Sequence, residues 1–539
     1  MKNMKQVFIK DQTQRLAKGG ISRRQFVSSM LAAGIVLPTA LTMASDAVAM
    51  TPKKGGKLRH ATGYGGTTDT INPATSSNGY TQNIIYSRGN HLTEIGQDGV
   101  LRGELAESFE PSDDAKSWIF NLRKDVTFHN GKTLTADDVI ATFNIHRGED
   151  TTSAAKALVT AVTDIKKDGD NRVIFEMEAG NADFPFLVSD YHFMIMASDG
   201  EGNVNVEAQD NSTGGYMLSE YEAGVRANFK RNPGYWKENS AHFDEVELLS
   251  VVDPTARQSA LLNGDVDLAD SIDPKTVALL GRVPTLDILE TTGTQHYTFP
   301  MRLDVEPFGN ADLRMALKLA IDRQELVDKI LLGHGVAGND IPVNASMPFF
   351  NADIPQRTFD PEKAAELYKK SGHSGPIQLS VADAAFAGAV DAGQLIAASA
   401  AKAGIEIELV REPNDGYWSN VWNKKGWCAC YWGGRPTQDW MYSSAYTADN
   451  NWNDTAWRDT ESAIRFNEVV VQARAETDDA KRQVQYSEAQ QLLHDDGGAI
   501  VAMWANFILA HNKTLAHGPE VAANWENDGN KISERWWFA

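Results

Sequence analysis

Short apolar runs alternate along the chain with longer segments of helical period. Runs suited to strands occupy Lys57–Tyr64, Ser117–Leu122, Val173–Met177, Glu245–Val252, Ile377–Val381 and Ile405–Val410. Apolar positions at helical spacing predict helices over Ala136–Arg147, Asp253–Asn263, Ala311–Gly333, Pro361–Ser371, Ala389–Ala403 and Ala480–Asp495. Thr135 with Asp138 three residues on supplies a reciprocal cap for the first helix. Turns fall at Asn130-Gly131, Asn232-Pro233-Gly234 and Asn263-Gly264-Asp265. This alternation implies α/β layers with partly parallel sheets, and no internal repeat interrupts it.

The first 49 residues follow a different pattern. Lys2, Lys5, Lys10, Arg15, Lys18, Arg23 and Arg24 precede an apolar stretch from Met30 to Met43 and a small-residue site, Ala47-Val48-Ala49. That is the layout of an export signal cleaved near Ala49. Ser22-Arg23-Arg24-Gln25-Phe26-Val27 resembles the twin-arginine motif. The apolar stretch is too short to span a bilayer, and no cysteine follows it to carry a lipid. The expected location is the periplasm.

Composition narrows the partners. The 539 residues carry 51 Lys+Arg against 72 Asp+Glu, a net charge of −21. Loss of the signal removes seven cationic and two anionic side chains, leaving −26. So acidic a chain has no basic face to neutralise a run of phosphates, which disfavours nucleic acid and anionic membrane as partners. Two cysteines build no disulfide framework. The length argues for two or three folded domains.

Several motifs then occur in a telling order. Leu105-Ala106-Glu107-Ser108-Phe109-Glu110 is followed by Trp118-Ile119-Phe120-Asn121-Leu122-Arg123-Lys124-Asp125-Val126-Thr127-Phe128-His129-Asn130-Gly131-Lys132 and by Leu134-Thr135-Ala136-Asp137-Asp138-Val139. Thr213-Gly214-Gly215-Tyr216, Arg231-Asn232-Pro233-Gly234-Tyr235-Trp236, Leu261-Leu262-Asn263-Gly264-Asp265-Val266-Asp267, Pro307-Phe308, Leu313–Arg323 and Asp360-Pro361-Glu362-Lys363-Ala364 continue it. The series resembles the peptide/nickel-type (family 5) extracellular solute-binding proteins, periplasmic receptors of ABC importers. By their own physics most of these motifs are turns, caps and local ion pairs that mark the scaffold.

The resemblance implies an α/β, two-lobed periplasmic binding protein fold (type II-like) with an extra domain inserted in the first lobe. Residues 52–92, 214–298 and 507–539 would form the first lobe, 93–213 the inserted domain and 299–506 the second lobe. The hinge would lie near Thr298–Pro300 and Ala505–Phe507. A small-molecule solute would be enclosed between the lobes, and an ABC permease would read the closed form. The protein is expected to be a monomer that binds neither cofactor nor metal.

Candidate solute contacts concentrate in Trp418–Trp457, which holds Trp418, Trp422, Trp427, Trp432, Trp440, Trp452 and Trp457 with Tyr417, Tyr431, Tyr442 and Tyr446. Such side chains line pockets for organic solutes, though some will serve the core instead. Trp427-Cys428-Ala429-Cys430-Tyr431-Trp432 reads as a buried strand ending in Gly433-Gly434-Arg435-Pro436. Peptide-binding relatives resemble this segment, with Trp432 falling on a Trp that in them stands two or so residues before an acid for the peptide's α-amino group, and Arg435 falling where they place that acid. A guanidinium suits a carboxylate, phosphate or sulfate instead. Asp439 is the alternative, either as the ion-pair partner of Arg435 or as a displaced amine site.

Arg302, near the hinge, is a second candidate cation. Ser77, Asn78 and Tyr80 match the cleft-lining loop of relatives, and His296, Trp504, Trp418 and Tyr446 complete the set. Cys428 and Cys430 are expected to be buried thiols. An exported enzyme is the main rival class, yet no His pair at helical spacing, no Gly-x-Ser-x-Gly elbow and no dinucleotide loop supports it. Within the binding class an oligosaccharide or opine is the alternative ligand to a peptide-like or carboxylate-bearing one.

Overall fold

The computed structural model describes residue 12 and residues 23–33, 52–414 and 416–539. The cleavage region Ala47-Val48-Ala49 lies outside the described residues, whereas Arg23–Ala32 is a helix in which Phe26 and Met30 are buried. No helix among the described residues is long and apolar enough to cross a membrane.

Three sheets organise the chain. The largest has seven strands in the order Leu286–Thr291, Phe507–Asn512, Leu268–Ala269, Lys57–Thr62, Glu245–Ser250, Arg226–Arg231 and Tyr216–Glu222. Lys57–Thr62 runs parallel to both of its neighbours, and the remaining pairs are antiparallel. Both faces are covered, which is why Lys57–Thr62 ends in consecutive buried residues rather than alternating ones. Leu58, Tyr80, Phe229, Val246 and Trp536 pack on one side, and Ala61, Leu261, Leu280 and Ala510 on the other.

A four-stranded antiparallel sheet, Ala106–Pro111, Ser117–Leu122, Arg172–Met177 and Val162–Lys167, alternates buried and half-buried positions. It packs on the helix Ala136–Asn144 around Phe120, Phe143, Phe175 and Phe193. That helix has its reciprocal cap: Thr135 N donates to Asp138 Oδ2 at 2.9 Å.

The third sheet orders Gly335–Ala337, Ala499–Ala505, His296–Pro300 and Cys430–Trp432. A parallel pair, Ile377–Val381 with Ile407–Arg411, adjoins it through the Ser380–Cys428 bridge. The chain leaves the seven-stranded sheet after Thr291 into His296–Pro300 and returns from Ala499–Ala505 into Phe507–Asn512. Asn506 separates the returning strands and donates to Glu290 Oε1 at 2.6 Å.

One predicted element splits. Ala311–Gly333 reads as one helix but forms Ala311–Leu319 and Arg323–Lys329, because Asp322 adopts an extended conformation and its side chain caps Glu325 N. Arg323 and Arg357 both reach the buried Asp340 at 2.6 Å.

Candidate functional site

The strand Cys430–Trp432 ends in two glycines that bring Arg435 against the segment that holds Asn524 and Trp525. A Cβ on Gly434 would lie 2.0 Å from Thr294 Oγ1 and 2.5 Å from the Asn524 carbonyl oxygen, so only glycine permits this approach. Arg435 is half-buried. Its guanidinium carbon lies 5.2 Å from the Trp525 ring centre and 5.9 Å from that of Trp440. Its polar contacts are the Gly434 carbonyl at 3.0 Å, the Gly433 carbonyl at 3.5 Å and Ser444 Oγ at 3.4 Å. Among the described residues it pairs with no carboxylate.

Asp439 does not take that place. Its Oδ1 accepts Arg474 Nε at 2.7 Å on a neighbouring helix, and the residue is buried. The ion pair between Arg435 and Asp439, an alternative on sequence grounds, is therefore absent, and the carboxylate is already neutralised.

Arg302 is also committed elsewhere. It donates to Asp304 at 2.6 Å and to the Asn423 carbonyl at 2.9 Å, so its fork is spent on the protein. Tyr80 and Tyr446 are buried in two separate hydrophobic clusters. Asn78 caps the helix Gly79–Arg88 by accepting Thr81 N and gives Nδ2 to Asp69. Ser77 is exposed beside it. Trp432 is buried; with Trp422 it donates its indole N–H to Asp454 Oδ2, at 3.3 and 3.0 Å. Trp504 is buried and stands 4.6 Å from the His296 ring. His296 is fully buried, contacts the Thr294 carbonyl through Nδ1, and has no partner at Nε2 among the described residues. Burial, with Arg435 nearby, lowers it to about 4, so it is neutral. Trp418 keeps 39% of its surface exposed and meets Tyr431 edge-on at 5.5 Å.

Near Trp525 lie residues the sequence did not single out. Tyr64 follows the strand Lys57–Thr62 and donates to Glu526 Oε2 at 3.3 Å. Room for the pair comes from Gly79, where a Cβ would meet Tyr64 Cδ2 at 2.6 Å and Glu526 Oε1 at 2.7 Å. Glu526 is half-buried, and no cation pairs with it among the described residues. Burial, reinforced by the Asp270 charge and opposed by Tyr64 and Arg257, pushes its carboxyl well above the usual range. Asp270 behaves differently. Burial works against its ionisation, but His60, at 3.3 Å, and Asn527 Nδ2, at 2.8 Å, hold it below the usual value, with Gly63 N also donating to it at 2.7 Å.

Tyr431 belongs to this neighbourhood as well. Burial first, then Glu526 and Cys430, push its phenol up to about 12, while Arg435 opposes the shift. Tyr297, stacked on Phe386 at 4.0 Å, and Tyr191, edge-on to Trp525 at 6.0 Å, add further aromatic surface.

A cluster that could suggest a metal lies elsewhere. Glu94, Glu104 and Glu534 converge, but Lys237 bonds all three and Lys531 bonds Glu94 and Glu104, so ammonium groups occupy the position of an ion. Cys428 and Cys430 are buried free thiols.

Comparison with known proteins places this architecture. The family model described as bacterial extracellular solute-binding proteins, family 5 Middle, matches residues 100–454. The dipeptide-binding protein of Escherichia coli (strain K12) is 24% identical over 483 residues, covering 81% of this chain and 87% of that protein. The nickel-binding periplasmic protein of the same strain is 25% identical over 307 residues, 55% of this chain and 57% of that protein. Among solved structures, the periplasmic binding protein AgaA from A. tumefaciens R10, in complex with agropinic acid, is similar at a TM-score of 0.79 and 20% identity, covering 90% of this chain and 99% of that one. The periplasmic binding protein DppA from Helicobacter pylori, in complex with the peptide STSA, gives 0.78 at 17% identity over 90% and 98%. These likenesses establish the α/β two-lobed fold.

Proposed function

The chain belongs to the bacterial extracellular solute-binding proteins, family 5, and from that premise we propose that it captures a small carboxylate-bearing organic solute between its lobes and delivers it to an ABC permease. The lobes would comprise residues 52–92, 214–298 and 507–539 on one side and 299–506 on the other, with 93–213 inserted in the first. Export would follow the twin-arginine route with cleavage near Ala49, and the mature protein would act as a monomer.

Arg435 carries the reading. A half-buried guanidinium whose bonded partners are carbonyls, a hydroxyl and two indole rings has no carboxylate in contact, Asp190 interacting with it only from a distance. Away from bulk water such a charge attracts an anion far more strongly than a surface arginine does. Its planar fork matches a carboxylate, and the flanking rings keep the fork in place. A neutral oligosaccharide would stack on Trp418 but would leave this charge unanswered, so the carboxylate reading is preferred. Peptides, organic acids, opines and oligosaccharides screened in parallel by thermal shift identify the class, because a ligand of the folded state raises the melting temperature. Against the best ligand, Arg435→Ala is expected to weaken binding by about 100- to 1,000-fold, the cost of stripping one partner from a desolvated charge pair. Retained affinity would remove Arg435 from the site.

A further inference from the structure

We propose that Asp183 and Arg482 form an interlock that sets how readily the lobes close, each charge opposing closure when alone and permitting it when paired. The inference goes beyond the function proposed above: it uses the lobe boundaries given there and makes no use of Arg435 or of the solute's chemistry.

Residues 93–213 are fastened to the side that would form the first lobe. Glu94 and Glu104 take Lys237 and Lys531, and Arg535 Nη2 donates to the Ile95 carbonyl at 2.8 Å. They also touch the other side at a place that involves neither hinge strand. There Arg482 Nη2 donates to Asp183 Oδ2 at 2.7 Å, a contact between residues 299 apart, and Tyr486 donates its hydroxyl to the same oxygen at 3.4 Å. Both charged side chains are more than nine-tenths buried. Arg482 is held from its own side, where Nε donates to the Ala473 carbonyl at 3.2 Å and the guanidinium lies 4.8 Å from the Phe349 ring centre. The backbone joins in: Ala182 N donates to the Arg474 carbonyl at 2.7 Å, satisfying one of the last carbonyls of the helix Glu461–Ala475. A Cβ on Gly180 would stand 3.3 Å from Ala475 Cβ, so the two segments are in close contact.

Under the proposed boundaries the chain crosses between the two sides only near Thr298–Pro300 and Ala505–Phe507, so Asp183 and Arg482 meet only when the lobes are together. A contact present in one arrangement and absent in the other shifts the balance between them by its own free energy. For an intact buried ion pair that contribution is small, because attraction and desolvation nearly cancel; for half a pair it is large and adverse, because the remaining charge is buried alone. Burial works against the Arg482 charge, and Asp183 and Tyr486 more than offset it, so the guanidinium depends on its partner. A closure in which the two fail to meet strands both charges, and only the matched register is admitted.

The test needs no solute. Lys275 and Asp391 are exposed, stand on opposite sides and approach to 3.9 Å. Lys275→Cys with Asp391→Cys therefore reports closure through the rate of cross-linking by a short bismaleimide, Cys428 and Cys430 being buried. In that background, with the exported protein stripped of solute, Asp183→Leu and Arg482→Met are each expected to slow cross-linking by about tenfold or more, the effect of one stranded charge. Both substitutions together are expected to restore the rate to within about threefold. Single variants that cross-link at the original rate, even with a lowered melting temperature, would reduce the pair to a structural contact and overturn the proposal. Single and double variants slowed alike would overturn the role of charge. Where a variant fails to fold, hydrogen exchange on protein with Asp183 and Arg482 intact decides: the Ala182 amide is expected to exchange about tenfold more slowly once the lobes are cross-linked shut, and equal exchange before and after would overturn the assignment. None of these results bears on Arg435, whose test is binding.

Discussion

Asp454 offers a test of the tryptophan-rich segment that needs no ligand. Its carboxylate is 2% exposed, and its Oδ2 accepts the indole N–H groups of Trp422 and Trp432. No cation bonds it among the described residues, since Arg302 acts only from a distance and is engaged by Asp304. Burial, only partly offset by the two indoles, therefore raises it from 3.8 to about 6. The gap of about 2 pH units, at 1.36 kcal/mol each, makes ionisation cost the folded state about 3 kcal/mol. Between the unfolded and folded values the native state holds more proton than the unfolded chain. Stability from this group is thus greatest below pH 3.8 and falls as pH rises through about 6. Asp454→Asn keeps an oxygen for both indoles and removes the titration.

Urea unfolding followed by tryptophan fluorescence at about pH 4.5 and about pH 7.5 should show the variant gaining about 2 kcal/mol on the unsubstituted protein over that interval. Any fixed effect of the amide on hydrogen bonding cancels in this difference between differences. Stability differences that stay equal at the two pH values, within about 0.5 kcal/mol, would refute the claim that an uncompensated carboxylate is buried beneath the tryptophan cluster.

Two further outcomes follow from the same physics. Burial raises both thiols, Cys430 with help from Asp454, so the native protein should leave Cys428 and Cys430 unlabelled by Ellman's reagent and release two equivalents once unfolded in guanidinium; rapid labelling of native protein would contradict their placement. Replacing Arg23 and Arg24 together by lysine should retain unprocessed protein in the cytoplasm, as cell fractionation would show, and a processed periplasmic product would refute the twin-arginine reading.

The acidity of the chain and the chemistry of its cleft address different distances. A total of −21 describes a solvated surface, where charges are screened within about 10 Å at ordinary ionic strength. Under the function proposed above, Arg435 would meet a ligand at hydrogen-bond range, where a local charge outweighs the distant acidic surface. Net charge therefore disfavours polyanionic partners without fixing the sign of the solute.

Local signals were enough for the scaffold. Thr135 with Asp138 announces a helix start because a cap is satisfied within four residues. Buried β-runs such as Lys57–Thr62 and Glu245–Ser250 announce strands because their apolar period matches the pleat of a sheet covered on both faces. Motif order then pointed to the family, and Arg435 stood out because, by that resemblance, it falls where peptide-binding relatives place an acid. The partners of each charged group were a different matter. Tyr64 and Glu526 meet across 462 residues, Arg302 finds Asn423 across 121, and Asp439 is claimed by Arg474 across 35. No period or cap encodes such meetings. They follow from how sheets stack and where Gly434 and Gly79 let segments approach, so the sequence singled out Arg435 while only the packed fold decided which charges were already paired.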